Sequence, residues 1–215
     1  MAGFVFHVIN RGARRGGLFD DSHDYERFVV ILRQALDEHP IRLLSFCAMP
    51  NHFHLLVWPE TDTQLPRFMQ WLTGTHSIRW RIASDTIGEG AVYQGRYKAI
   101  PVQTERHFLA VARYVERNPL RAHLVARAED WQWSSLWHRE VAKDHFPLAE
   151  WPVPPPVDWL ARVNQPQTIG EIAAIRRSIK RGCALGDASW QDEVAKTLGI
   201  PGYFRPQGRP QRNAG

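Results

Sequence analysis

The run Ile41-Arg42-Leu43-Leu44-Ser45-Phe46-Cys47-Ala48-Met49-Pro50-Asn51-His52-Phe53-His54-Leu55-Leu56-Val57-Trp58 decides the fold. Two apolar, β-prone stretches flank Pro50-Asn51, a turn signal, so residues 41–49 and 52–58 predict an antiparallel hairpin. Side chains alternate along a strand. Phe53, Leu55 and Val57 therefore face a core, while His52 and His54 share the opposite face. Cys47 falls within its strand as a small buried apolar residue.

Upstream, Phe4-Val5-Phe6-His7-Val8-Ile9 reads as a strand, followed by a basic, glycine-rich loop from Asn10 to Gly17. Phe28, Ile31, Leu32, Ala35 and Leu36 recur at the spacing of one buried helical face over residues 24–38, and Pro40 closes that helix. Downstream, Leu65, Phe68, Met69, Leu72 and Ile82 mark the apolar side of a helix over residues 64–83. Gly74 weakens its middle by about 1 kcal/mol relative to Ala. Residues 92–102 predict a further strand, with Gly95 as a bulge or close approach. Thr104 is placed to cap a helix over residues 105–117 that Pro119 limits. The order strand, helix, strand, strand, helix, strand, helix predicts an α+β fold. A ferredoxin-like βαββαβ sandwich, with an antiparallel sheet and helices on one face, fits it.

Pro152, Pro154, Pro155 and Pro156 mark a boundary. They divide the chain into residues 1–150, a helical extension over 151–204 and a basic tail over 205–215. Within the extension, Thr168 to Glu171 is a capping box ahead of Ile172, Ala173, Ile175 and Ile179, and Gly182 is a stop. A second short helix covers residues 188–198, ended by Gly199. The pair reads as a helical hairpin packed on the core, or as a helix-turn-helix.

Among 215 residues, 44% are hydrophobic and 23% charged, the composition of a globular chain rather than a disordered one. No apolar run approaches 18 uncharged residues, so no membrane span is expected. The N-terminus lacks the pattern of a signal peptide. Cys47 and Cys183 alone exclude a disulfide framework and a four-cysteine zinc site, and a cytoplasmic location is expected. The net charge of +5 fits a nucleic-acid partner. Most of that excess lies beyond residue 150. Nine Trp is a high number; most are expected to pack in the core, and a few are available to stack on unpaired bases.

His52 and His54 are close enough to share one divalent cation, a role that neutral imidazole suits. Spacing alone also admits two surface histidines. Two ligands rarely suffice. The helix over 105–117 offers Tyr114 and Asn118, at i and i+4 on one face. A tyrosine hydroxyl is a weak nucleophile that a metal beside it would assist by polarising a phosphate, and the amide oxygen of Asn118 could ligate that metal. Phosphate-loop, dinucleotide-binding and His-Glu-x-x-His patterns are missing.

Several segments fall in one order: His7-Val8-Ile9-Asn10-Arg11-Gly12, Met49 through Val57, Tyr93-Gln94-Gly95-Arg96-Tyr97, Tyr114-Val115-Glu116-Arg117-Asn118-Pro119-Leu120-Arg121-Ala122, and Trp133-Ser134-Ser135. Over residues 4–138 the chain resembles the single-tyrosine HUH transposases, in particular the branch associated with repetitive extragenic palindromes (REP elements). The resemblance implies a ferredoxin-like or RRM-like fold. It also implies Tyr114 as nucleophile, His52 and His54 as metal ligands, and Asn118 as a third ligand. The implied reaction is cleavage and rejoining of single-stranded DNA beside hairpins, through a 5′-phosphotyrosine, with Mg²⁺ or Mn²⁺. Arg11, Arg14, Arg15, Arg96, Lys98, Arg205 and Arg209 are the DNA-contact candidates. Either a monomer or a homodimer is compatible. A binding module without catalysis and a metal phosphodiesterase using water remain the alternative readings.

Overall fold

A computed structural model describes residues 2–13 and 17–199. Four strands, β1 (Val5–Arg11), β2 (Arg42–Met49), β3 (His52–Trp58) and β4 (Lys98–Val102), form one sheet in the order β2-β3-β1-β4. Every neighbouring pair is antiparallel. Helices α1 (Ser22–Glu38) and α2 (Gln64–Ala83) complete the βαββαβ unit. Both pack on the sheet face that carries Phe6, Val8, Phe46, Phe53, Leu55 and Val57. The alternation read in β3 is thus realised, with Phe53, Leu55 and Val57 fully buried under the helices.

The opposite face is covered as well. Helix α3 (Arg106–Glu116) and a short α4 (Asn118–Arg121) follow β4. Phe108, Val111, Ala112 and Val115 of α3 pack against Val5, Leu44, Cys47, Met49 and Leu56. Two helices therefore lie on the expected face, and the tyrosine-bearing helix lies on the other. A bulge in β2 between Leu43 and Ser45 shifts the alternation, so Leu43 shares one core with Phe46 and Leu44 the other with Cys47.

Three local expectations shift. The fourth strand begins at Lys98 rather than residue 92. Before it, Tyr93 makes only an isolated bridge to Gly12. Helix α3 is capped by Glu105, not Thr104. Glu105 sits at φ 65° and makes no side-chain cap bond. Pro119 opens the new helix α4 instead of merely ending α3, because proline suits the first turn of a helix.

After a three-residue α5 (Ser135–Trp137), the chain runs through the proline-rich segment to α6 (Trp159–Asn164), α7 (Ile169–Arg181) and α8 (Ala188–Thr197). Helix α7 starts at the expected capping box of Thr168 and Glu171 and stops at Gly182, whose φ of 70° favours glycine. Both sheet edges are closed by this region. Ala149 donates to the Leu43 carbonyl at 2.8 Å on the β2 edge. On the β4 edge, Leu185 donates to Pro101 at 2.8 Å and accepts from Gln103 at 2.9 Å. The extension is therefore packed on the core. Residues 205–215 lie outside the described residues. No described helix is long and apolar enough to cross a membrane.

Candidate active site

The site lies where the central strands β1 and β3 end beneath α3. In the register Ile9↔His54 and Arg11↔His52, these four residues share the α3 side of the sheet with His7. The β2–β3 turn is held by residues that follow β1. Gly12 donates to the Asn51 carbonyl at 3.0 Å, while Leu18 and Phe19 donate to that of Pro50 at 2.6 and 3.0 Å. That anchoring fixes where β3 starts, and with it His52.

The Nε2 atoms of His52 and His54 stand 3.0 Å apart. Two donors about 2.1 Å from one ion at right angles would be separated by about this distance, so the pair fits cis positions on an octahedral cation. The other ring nitrogens are occupied. Nδ1 of His52 lies 2.6 Å from Asn51 Oδ1, and Nδ1 of His54 lies 2.9 Å from His7 Nε2. Burial, reinforced by the Arg11 and Arg121 charges, pushes His52 down to about 4. Burial and neighbouring His52, His7 and Arg121 hold His54 well below the usual range. His7, 1% exposed, is pushed by burial and by His52 to about 3. All three rings stay neutral near pH 7, so their lone pairs are not lost to protons.

Tyr114 faces the pair from α3. Its ring meets the His54 ring edge-on, centroids 5.9 Å apart, and the His7 ring at 6.3 Å. The Arg121 guanidinium lies over the tyrosine ring, 4.0 Å from its centroid. Tyr114, His52 and His54 line one open cleft of about 700 Å³, together with Asn10, Arg11, Asn51, Gln94, Arg96, Lys98 and Ile179. A single chain supplies all of these groups. A larger cleft, about 910 Å³, lies by the proline-rich segment. Its histidine, His138, is already paired with Asp144 at 2.9 Å, so the chemistry is assigned to the smaller cleft.

Three cationic candidates, Arg11, Arg96 and Lys98, are thus brought to the cleft. Lys98 Nζ donates to the Ile179 carbonyl at 2.9 Å, which makes α7 a wall of the cleft. Arg14, Arg15, Arg205 and Arg209 lie outside the described residues. Asn118 is buried beside Tyr114, but its Oδ1 accepts from Arg121 at 2.6 Å and it does not line the cleft. Its Nδ2 has no partner among the described residues. No third His, Cys, Asp or Glu completes a metal-holding group among the described residues, so further ligands would be amide, water or phosphate oxygens.

Sequence reasoning missed His7, Asn51, Gln94 and Arg121 as site residues. Strand alternation could have found His7, which shares a face with Ile9 and Arg11. Spacing could have found Arg121, one turn beyond Arg117 on the side of Tyr114.

A four-stranded antiparallel sheet that presents a histidine pair to a helix-borne tyrosine defines the class. The sequence pattern of the family described as "Transposase IS200 like" matches residues 2–118, more than half of the chain, and the chain belongs to that family. Among particular relatives, a Haemophilus influenzae protein named as a REP-associated tyrosine transposase is 23% identical over 133 residues, 58% of this chain and 75% of its own. A solved REP-associated tyrosine transposase bound to a REP hairpin superposes with a TM-score of 0.50 at 20% identity. That match covers 68% of this chain and 84% of the other, a likeness of fold. A Deinococcus radiodurans transposase crystal structure gives 0.40 at 18% identity, over 56% and 87%.

Proposed function

We propose that this transposase is a metal-dependent single-strand DNA endonuclease. In this reading it cleaves and rejoins DNA beside palindromic hairpins of the REP type, with Tyr114 as nucleophile and His52 and His54 as the metal pair. The observation that carries the reading is one cleft holding a tyrosine and two imidazoles whose Nε2 atoms converge to 3.0 Å. The relatives' names supply the substrate: hairpin DNA and REP elements.

A bound divalent cation would supply Lewis-acid polarisation of the scissile phosphate. The imidazole donors favour Mn²⁺ over Mg²⁺, which prefers oxygen. Asn118 would supply an amide oxygen as third ligand only if Arg121 released it. Gln94, exposed and lining the cleft, would offer another amide oxygen. Arg11, Arg96 and Lys98 track the phosphates of the incoming strand. Tyr114 Oη forms a bond to phosphorus as the bond from phosphorus to the 3′-oxygen breaks, and the phenol proton ends on that 3′-oxygen through solvent. The phosphotyrosine keeps the bond energy that hydrolysis would lose, so a second 3′-hydroxyl can reverse the step and rejoin DNA.

An end-labelled hairpin with single-stranded flanks, incubated with Mn²⁺, tests the reading. Cleavage is expected to disappear with chelator and in His52→Ala and His54→Ala, with hairpin affinity largely retained and folding verified by circular dichroism. Cleavage that survives both substitutions would overturn the metal assignment.

A further inference from the structure

The geometry points to His7 as the residue that holds His54 in its metal-binding tautomer. This rests on the reading of His52 and His54 as a metal pair, and it assigns a function to a buried histidine that the reaction does not otherwise use.

A neutral imidazole has one N–H and one lone pair. His54 can offer a lone pair at Nε2, toward His52, only when its proton sits on Nδ1. That proton then needs an acceptor. Among the described residues, the atom within hydrogen-bond distance of His54 Nδ1 is Nε2 of His7, at 2.9 Å. His7 lies diagonally across β1 and β3, since it pairs with Leu56 while Ile9 pairs with His54. Its ring stacks on that of His54, centroids 5.0 Å apart and planes inclined 25°. Both rings are buried, so water does not readily take over as acceptor.

His52 is served in the same way by the neighbouring residue of its own turn, Asn51, whose Oδ1 lies 2.6 Å from Nδ1. An asparagine oxygen can only accept, which places the proton on His52 Nδ1 and frees Nε2. His7 does for His54 what Asn51 does for His52, but from another strand. In the reverse arrangement His7 would donate, His54 would carry its proton on Nε2, and a cation could not be shared with His52. Orienting partners of this kind tune affinity as well as geometry.

The experiment measures His54 by proton–nitrogen correlation NMR on the metal-free protein, then Mn²⁺ binding by electron paramagnetic resonance of the free ion, without DNA. The wild type is expected to show His54 protonated on Nδ1. His7→Phe, similar in size, is expected to shift His54 toward the Nε2–H form and weaken Mn²⁺ binding by about 10- to 100-fold. His7→Gln, which restores a carbonyl acceptor, is expected to recover most of that loss. A wild-type His54 protonated on Nε2, or unchanged Mn²⁺ affinity in a folded His7→Phe, would overturn the proposal. If His7→Phe does not fold, the wild-type tautomer decides alone. If the wild type binds no Mn²⁺, the metal reading fails, and the tautomer on metal-free protein still decides the role of His7.

Discussion

Arg121 carries a charge that finds no carboxylate among the described residues. It spends one N–H on Asn118 and lays its guanidinium over Tyr114, while Arg117 and Arg176 lie close enough to repel it. A cation kept half-buried without a counter-ion is costly, so its position is expected to matter to an anion or to the ring it covers. Arg121→Gln is expected to slow formation of the tyrosine adduct by about tenfold or more, the scale of a lost cation–π contact and charge-assisted hydrogen bond, while hairpin affinity changes less. Equal adduct rates in quench-flow would contradict that. At this scale the sequence was legible where chemistry and spacing coincide. Strand alternation puts His52 and His54 on one face, helical spacing offers Tyr114, and the fold brings the three to one cleft. Asn51 and Gln94 become site residues only through register and folding, whereas alternation and helical spacing carried a signal for His7 and Arg121.

Glu116 ties the elements behind the site together. Its carboxylate, fully buried, accepts from Ser45 of β2, Ser135 of α5, Arg139 and, at 2.8 Å, the indole of Trp159 in α6. One carboxylate thus fastens α3 to the sheet and the extension to α3, two residues from the nucleophile. Glu116→Ala takes the buried carboxylate away from the Arg139 charge and from the Ser45, Ser135 and Trp159 donors and is expected to cost about 3–5 kcal/mol, measured by urea unfolding. A loss under 1 kcal/mol would contradict this account of the hub. The elements themselves were readable from periodicity, from the capping box of α7 and from Gly182. The start of β4 was not, because Val92, Tyr93 and Tyr97 suit a strand while Gln94, Gly95 and Arg96 between them line the cleft instead. The cap of α3 was not either, because Glu105 enters the helix at a positive φ that its side chain does not signal.

For the whole molecule, buried histidines set the acid limit. His76 is bonded to the Tyr93 hydroxyl at 2.7 Å, and burial pushes it down to about 4. His7, His52 and His54 are shifted in the same direction. Unfolded, each takes a proton near pH 6.5; folded, His76 resists until about pH 4. The unfolded chain therefore binds more protons in that window, and stability falls as pH drops through it. The urea midpoint is expected to fall steeply from pH 6.5 to 4.5, and less steeply in His76→Phe. A midpoint independent of pH would contradict the buried, neutral state of these rings.

The charge excess read from composition is partly placed by the fold. Arg176, Arg177, Lys180 and Arg181 of α7 are exposed, with no ion pair among the described residues, beside the wall that Ile179 gives the cleft. Substituting Arg176 and Arg177 by Gln is expected to lower the salt dependence of hairpin binding by about two in log–log slope. An unchanged slope would remove α7 from the DNA path. Arg11, Arg96 and Lys98 were named from the sequence and reach the cleft, whereas the α7 cluster was not, because composition counts charges without saying which of them fold toward the cleft.

The central claim is covalent chemistry at Tyr114. A labelled hairpin strand, incubated with the protein and Mn²⁺ and run on a denaturing gel, tests it most directly. The account predicts a labelled band at the summed mass of protein and DNA fragment, absent in Tyr114→Phe although that variant still binds the hairpin. Cleaved DNA with no such band, and cleavage that survives Tyr114→Phe, would contradict it and leave water as the nucleophile.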